Sequence, residues 1–370
     1  MKLFVHIGSH KTGTTAIQHY SAAHREELSD QGLLYPSFEK LGRRPGRSHL
    51  ALVSGLQGLR RPNVPSFEES LSFLHMTRDE AIARGNNILF SAENIFRLKA
   101  RSRSRLFELL LGSFPDFEVV PVVALRRQDN LADSLYRNSI RSEADLSRNP
   151  ATWPDFLAEQ MPLFDYSRIL QDAQLAFGRR PVVLAYAGHL RKNTVPSFFE
   201  RLGVDVQDPA DSVRRVNASY DFLDCQVKRH LAETGGTDRL FRLLERFVKN
   251  HPLRSRYSFF SETFRPAFLS QFRAGNAQLV ADFPELESVL ADNIPADFPV
   301  AGDGEAAQDV GRRWADYAKF VAELGFHEQL PRPSHRQDCV ETFKARQAVE
   351  DAEVLASAWT DSARKTATLS

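Results

Sequence analysis

Apolar and polar positions at the start of the chain change their spacing within a few residues. An apolar run at residues 4–7 is followed by a polar loop that contains Gly8 and Gly13. Beyond the loop, Ile17 and Tyr20 begin an apolar stripe at helical spacing. The pattern predicts a buried strand, a glycine-containing loop and a helix that reaches about residue 30.

Short apolar runs then alternate with longer amphipathic stretches. Further strands are predicted at residues 87–90, 118–125 and 181–186, with a short extended piece near Leu33, and a helix at residues 66–84. Residues 49–53 form another ordered segment. Strands that alternate with helices at this spacing favour a mainly parallel sheet with right-handed crossovers. The region is therefore expected to be an α/β fold.

The pattern changes after residue 195, where apolar stripes at helical spacing predominate. We expect a largely helical second half that elaborates a single domain over residues 1–330. Residues 331–370 are polar and weakly patterned, which is typical of a loosely ordered tail.

Composition changes this picture little. The 370 residues are 42% hydrophobic and 26% charged, with a net charge of +1, which argues against a surface built for nucleic acid. The two cysteines, Cys225 and Cys339, have no metal-ligand spacing and suit a reducing compartment. Because no stretch is long and apolar enough for a membrane span, a cytoplasmic location is expected.

The first loop carries the clearest chemistry. Gly8 and Gly13 stand where a Walker A loop has its two glycines, but Thr14 occupies the place of the Walker lysine, and the lysine is Lys11, inside the loop. Glycines let successive backbone N–H groups face one point, and the following helix adds its positive dipole end there. The loop therefore predicts an anion site, most simply for a phosphate, to which Thr14 and Thr15 add hydroxyl donors.

A second constellation follows the strand at residues 118–125. Arg126 leaves the end of this strand, and Ser134 lies about a turn into the next predicted helix, so both side chains are able to face one point above the sheet edge. Two such donors would hold a second phosphate. The alternative is that arginines here only pair with Asp129 and Asp133 at the start of a helix.

These two segments resemble a known family. The sequence Lys11-Thr12-Gly13-Thr14-Thr15 is similar to the 5′-phosphosulfate loop of sulfotransferases that use 3′-phosphoadenosine 5′-phosphosulfate (PAPS). An arginine that ends a strand, with a serine eight residues later, resembles their 3′-phosphate motif, most closely in bacterial members. The resemblance implies a P-loop three-layer α/β/α fold and in-line transfer of a sulfuryl group to a hydroxyl or amine. The polar, arginine-bearing loops favour a carbohydrate acceptor.

The resemblance also implies roles for individual residues. Lys11 would neutralise the leaving oxygen, which gives it a catalytic role besides binding. No metal is needed, because a sulfuryl group carries less charge than a γ-phosphoryl group. The predicted contacts to PAPS, or to the product adenosine 3′,5′-bisphosphate (PAP), are Gly8, His10, Lys11, Thr12, Gly13, Thr14, Thr15, Arg126, Ser134 and Arg215.

An acceptor hydroxyl needs a base within hydrogen-bond reach. Glu93 is the first candidate because it follows the strand at residues 87–90, and His49 is the second, with Glu39 a weaker third. Each has a structural alternative, since Glu93 is also placed to cap the next helix and His49 to pack. The basic run from Arg97 to Arg105 is interpreted as a solvated helix face.

Two other functions remain open at this point. A P-loop kinase or NTPase is disfavoured by the threonine at the Walker lysine position and by the lack of a strand that ends in a Walker B aspartate. A nucleotide-binding module without catalysis would keep the anion loop but would have no use for Lys11 near a leaving group.

Overall fold

The computed structural model describes residues 1–142, 152–187, 193–206, 220–234, 236–251, 257–262, 264–291, 303–324 and 344. Its five strands form one sheet in the order β2-β3-β1-β4-β5, and every pair of neighbours is parallel. The strands are β1 (Lys2–Gly8), β2 (Leu33–Leu34), β3 (Asn87–Ser91), β4 (Glu118–Leu125) and β5 (Val182–Ala185). The predicted α/β class with a parallel sheet is confirmed.

Fifteen described α-helices accompany the sheet, together with short 3-10 helices at Phe38–Leu41, Glu93–Arg97, Met161–Leu163 and Pro284–Leu286. The α-helices are α1 (Thr14–Ala23), α2 (Arg25–Asp30), α3 (Leu50–Leu56), α4 (Phe67–Arg84), α5 (Ala100–Ser113), α6 (Gln128–Ser142), α7 (Trp153–Gln160), α8 (Tyr166–Phe177), α9 (Thr194–Arg201), α10 (Phe222–Glu233), α11 (Asp238–Asn250), α12 (Phe264–Ser270), α13 (Arg273–Asp282), α14 (Glu287–Leu290) and α15 (Asp303–Glu323).

Contacts group the chain into two compact units. The first comprises residues 1–127, 163–214 and 272–294, and it contains the whole sheet. The second comprises residues 128–162, 215–271 and 295–370, and its described regular elements are helical. The prediction of a single domain over residues 1–330 stays a prediction.

The strands of the first unit are buried because helices cover both faces of the sheet. On one face, Phe4 of β1 and Val122 of β4 belong to a core that includes Tyr20 of α1 and Phe198 of α9. On the other face, the ring of Phe90 in β3 lies 6.4 Å from Phe73 of α4 and 5.9 Å from Phe114, which follows α5. This arrangement is consistent with the predicted three-layer fold.

Local sequence signals account for several helix ends. The α4 helix begins at a capping box, in which the Ser66 hydroxyl accepts the N–H of Glu69 and the Glu69 carboxylate accepts the N–H of Ser66. It ends at Gly85, whose left-handed conformation suits glycine. The single helix predicted up to about residue 30 is interrupted at His24, where α1 ends and α2 begins.

The second unit is held together by aromatic packing and by buried ion pairs. Arg313 of α15 donates to Oδ1 of Asp224 in α10 at 2.7 Å, and both side chains are almost fully buried. Trp314 packs its ring 4.6 Å from His230. None of the described helices, in either unit, combines the length and apolar character that a membrane crossing requires.

Candidate functional site

The loop between β1 and α1 lies at the carboxyl edge of the sheet, beside its central strand. Gly13 is the N-cap of α1 in a left-handed conformation, with φ of 81°, and no side chain caps the helix. Ala16 and Ile17 donate their N–H groups to the Gly13 carbonyl. The N–H groups of Thr14 and Thr15 precede this bonding, so the helix presents them at its end, as an anion site requires.

Hydroxyl groups within the loop fix its shape. The N–H and the hydroxyl of Ser9 both donate to the Ala124 carbonyl of β4 at 2.9 Å. Thr12 donates its hydroxyl to the Ser9 carbonyl at 2.7 Å, and the Thr14 hydroxyl lies 3.3 Å from the same oxygen. The Thr14 hydroxyl therefore has partners within the protein, and its predicted service to an anion as a donor stays a prediction.

Both loop glycines are required by their surroundings as well as by their backbone angles. A Cβ atom at Gly13 would lie 2.5 Å from Cγ2 of Thr194 at the start of α9. A Cβ atom at Gly8, where φ is 126°, would lie 3.1 Å from Cβ of Phe96. The loop is therefore in close contact with two neighbouring elements, α9 and the 3-10 helix that follows β3. Lys11 is the one described non-glycine residue with a positive φ, 63°.

Glu93 lies beside this loop, at the start of the 3-10 helix that follows β3. Burial raises the pKa of its carboxyl group, while a hydrogen bond with Thr14 and the positive charges of Lys11 and Arg97 act in the opposite direction. The structure thus brings together Lys11 and Glu93, two of the three residues predicted to be catalytic. A carboxylate whose pKa is raised is a better proton acceptor than an ordinary one.

His10 occupies the same part of the loop. Burial, together with the positive charges of Arg97 and Lys11, lowers the pKa of its imidazole to about 4. The ring is therefore neutral at neutral pH and contributes a hydrogen-bonding group to the site without a charge.

His49 proves to be a core residue, and its predicted role as a base is wrong. The side chain is 2% exposed; Nδ1 accepts the N–H of Ser91 at 3.0 Å, and Nε2 lies 3.1 Å from the Pro36 carbonyl, to which it donates. Burial lowers the pKa of the ring to about 4. Both nitrogens are engaged within the protein, so neither is available to an acceptor. Glu39, the third candidate, accepts a hydrogen bond from the Ser37 hydroxyl at 3.0 Å.

One buried group near the loop was not predicted. His6 of β1 is fully buried, and its Nδ1 lies 3.0 Å from the Ser91 hydroxyl, which also accepts a hydrogen bond from Gln18 of α1 at 3.1 Å. This cluster ties β1, β3 and α1 together directly beneath the loop. The only signal in the sequence is a histidine within an otherwise apolar strand.

The predicted 3′-phosphate residues fall in different parts of the chain. Arg126 ends β4 in the first unit, where its side chain is 6% exposed and its carbonyl accepts the Tyr166 hydroxyl at 2.7 Å. Ser134 is a half-buried residue of α6 in the second unit. Arg215 lies outside the described residues. That these side chains bind one phosphate stays a prediction.

No family model, no curated protein and no solved structure matches this sequence. Evidence for a function therefore comes from the residues of the β1–α1 loop and from their neighbours.

Proposed function

We propose that this protein is a sulfotransferase that moves the sulfuryl group of PAPS to a hydroxyl or amine of an acceptor. The observation that supports it most directly is the position of Lys11 and Glu93 together at the uncapped N-terminus of α1. An anion-binding helix end, a cation and a partly buried carboxylate are the three groups that such a transfer requires.

Lys11 stabilises the oxygen that leaves with the nucleotide. PAPS supplies an activated sulfuryl group, and negative charge grows on its bridging oxygen during transfer. Lys11 adopts a left-handed conformation, which costs a non-glycine residue about 1–2 kcal/mol. Strain of this kind persists at functional sites, which supports a role for the lysine within the loop rather than on the helix.

Glu93 accepts the proton of the acceptor hydroxyl. Its raised pKa favours this role because a carboxylate that is more basic than usual is a better proton acceptor. The positive charges of Lys11 and Arg97 favour the ionised form of the Glu93 carboxyl group, which burial alone would disfavour. With His49 enclosed in the core, Glu93 is the base that we propose.

Arg126 contacts the 3′-phosphate of the nucleotide in this proposal. It follows β4, the neighbour of β1 in the sheet, so it leaves the sheet at the same edge as the loop. A guanidinium group suits a phosphate because it donates two parallel hydrogen bonds.

Calorimetry with adenosine 3′,5′-bisphosphate, and separately with ATP plus Mg²⁺, tests the nucleotide. We expect tight binding of the bisphosphate, and Arg126→Gln should weaken it by more than ten-fold, about the contribution of one charge-assisted hydrogen bond. Tight binding of ATP with Mg²⁺, together with indifference to the bisphosphate, would favour a kinase or NTPase and refute the proposal.

Single-turnover transfer from PAPS to screened acceptors tests the catalytic roles. Lys11→Met should lower the rate by about 10²–10³ with a smaller change in bisphosphate affinity. Glu93→Gln should lower it by about 10²–10⁴. Lys319→Met is a matched control, because Lys319 is exposed on α15 in the second unit. Unchanged chemistry in Glu93→Gln would exclude it as the base.

A further inference from the structure

Five exposed cations of the first unit come from two neighbouring segments, and together we call them the basic face. They come from the segment that follows α3 and from the start of α5, and all five side chains are exposed. The basic face consists of Arg60, Arg61, Lys99, Arg101 and Arg105.

The two segments that supply these cations lie against each other. Gln57, at the end of α3, has its Nε2 3.5 Å from the Ser102 carbonyl in the first turn of α5. The N–H of Leu59 donates to the Ser54 carbonyl at 3.0 Å, and the N–H of Val64 donates to the Arg61 carbonyl at 3.0 Å. The segment therefore forms an ordered turn beside the first turn of α5, and the two groups of cations belong to neighbouring segments.

The cations of the basic face have no acidic partner in the part of the chain that the structure describes. Among the described residues, no carboxylate oxygen lies within 4.0 Å of any of the five cations. Arg103, between two of them on α5, instead faces inward and pairs with Asp172 of α8. Arg101 and Arg105 are one helical turn apart, about 6 Å along α5. Because the net charge of the chain is only +1, this concentration is a local feature.

An exposed apolar side chain lies within the same surface. Leu59 is 48% exposed and directly precedes Arg60 and Arg61 at the tip of the turn. A dissolved polyanion offers no partner for a leucine. The surface of a bilayer does, because acyl chains lie just beneath the headgroups and anionic headgroups attract the surrounding cations.

We propose that the basic face docks the protein on a bilayer surface that contains anionic lipids, with Leu59 entering the boundary between headgroups and acyl chains. The five cations supply the attraction, and Leu59 supplies the preference for lipid over other anions. This inference is independent of the sulfuryl transfer proposed above, and its test does not involve PAPS.

Sedimentation of the full chain with vesicles tests the proposal. We expect binding to phosphatidylcholine vesicles that contain phosphatidylserine, and none to phosphatidylcholine alone. The double variant Arg60→Gln/Arg61→Gln should weaken binding by about 25-fold, since each cation near an anionic surface contributes about five-fold. Leu59→Ser should weaken it by about ten-fold.

A matched double variant, Arg179→Gln/Arg201→Gln, controls for loss of net charge, because both arginines are exposed in the first unit and belong to other segments than the basic face. It should bind as the unmodified protein does, and circular dichroism should show every variant folded. The proposal is overturned if the protein does not bind anionic vesicles, or if the control variant loses as much vesicle binding as Arg60→Gln/Arg61→Gln. It is also overturned if Leu59→Ser leaves vesicle binding intact while a soluble polyuronate or duplex DNA competes fully.

Discussion

Two buried histidines, His6 and His49, should make the first unit sensitive to acid. His49 is 2% exposed and is surrounded by the rings of Tyr35, Phe73 and Phe90, at 4.8, 6.5 and 5.1 Å. Burial lowers its pKa from 6.5 to about 4, and Arg25 adds to the effect. Burial lowers the pKa of His6 to about 4 as well.

The direction of the effect follows from proton counts. Between pH 6.5 and about 4, an unfolded chain binds a proton at His49 that the folded protein does not, so the free energy of unfolding falls as the pH falls through this window. At about pH 5, which is 1.5 units below the unfolded value, the loss is about 2 kcal/mol per histidine, at about 1.4 kcal/mol per unit. His6 and His49 together therefore remove about 4 kcal/mol.

Urea unfolding followed by far-UV circular dichroism, at about pH 7.5 and about pH 5, measures this loss. His49→Gln keeps one acceptor and one donor but does not titrate, so we expect its stability to fall by about 2 kcal/mol less than that of the unmodified protein. The comparison cancels the carboxyl groups whose pKa values burial raises, such as Glu93 and Asp133, which act in the opposite direction.

His75→Gln serves as the control, because His75 is exposed on α4. It should leave the pH dependence unchanged. If His49→Gln shows the same loss between the two pH values as the unmodified protein, the argument that His49 is held neutral in the core is wrong.

Two further predictions concern the loop. Gly13→Ala should destabilise the protein by about 2–5 kcal/mol in urea unfolding, because it adds a left-handed penalty to a close contact with Thr194. Gly85→Ala is the control, because Gly85 has the left-handed angle in open space, and it should cost only about 1–2 kcal/mol. Thr194→Ser should restore part of the stability that Gly13→Ala loses. Lys11→Gly should stabilise the protein by about 1 kcal/mol, because glycine tolerates a φ of 63°, and it should lower the rate of transfer from PAPS by about 10²–10³. A destabilised Lys11→Gly would contradict the assigned strain.

The sheet was predictable because its signals are local. The β4 strand spans residues 118–125 as predicted, since a strand covered on both faces is apolar throughout. The segment at residues 49–53 was harder, because a short apolar run does not distinguish a strand from a buried helix, and it proves to lie in α3. Long segments with clear periodicity therefore carried most of the reliable information.

Side chains whose partners are distant in sequence were not predictable. The partners of His49 are a carbonyl 13 positions away and an N–H 42 positions away, so nothing near it in sequence reveals that both nitrogens are engaged. Asp129, a possible partner of nearby arginines in the sequence, lies inside the first turn of α6, where its Oδ2 is 3.5 Å from Nε of the distant Arg265. The contact of Gly13 with Thr194 was also not predictable, because a glycine indicates freedom of the backbone but does not identify the side chain that lies against it.

These long-range contacts change which parts of the loop are able to meet a ligand. The hydroxyls of Thr12 and Thr14 brace the Ser9 carbonyl, so substitutions there would act first on the shape of the loop. Thr15 is exposed in the first turn of α1, and Lys11 is partly exposed. In the proposed function, affinity for the nucleotide would therefore depend mainly on backbone N–H groups that most side-chain changes leave in place, whereas the rate of transfer would depend on Lys11 and Glu93. For this reason variants of Lys11 and Glu93 should lower the rate of transfer more than they lower the affinity for the nucleotide.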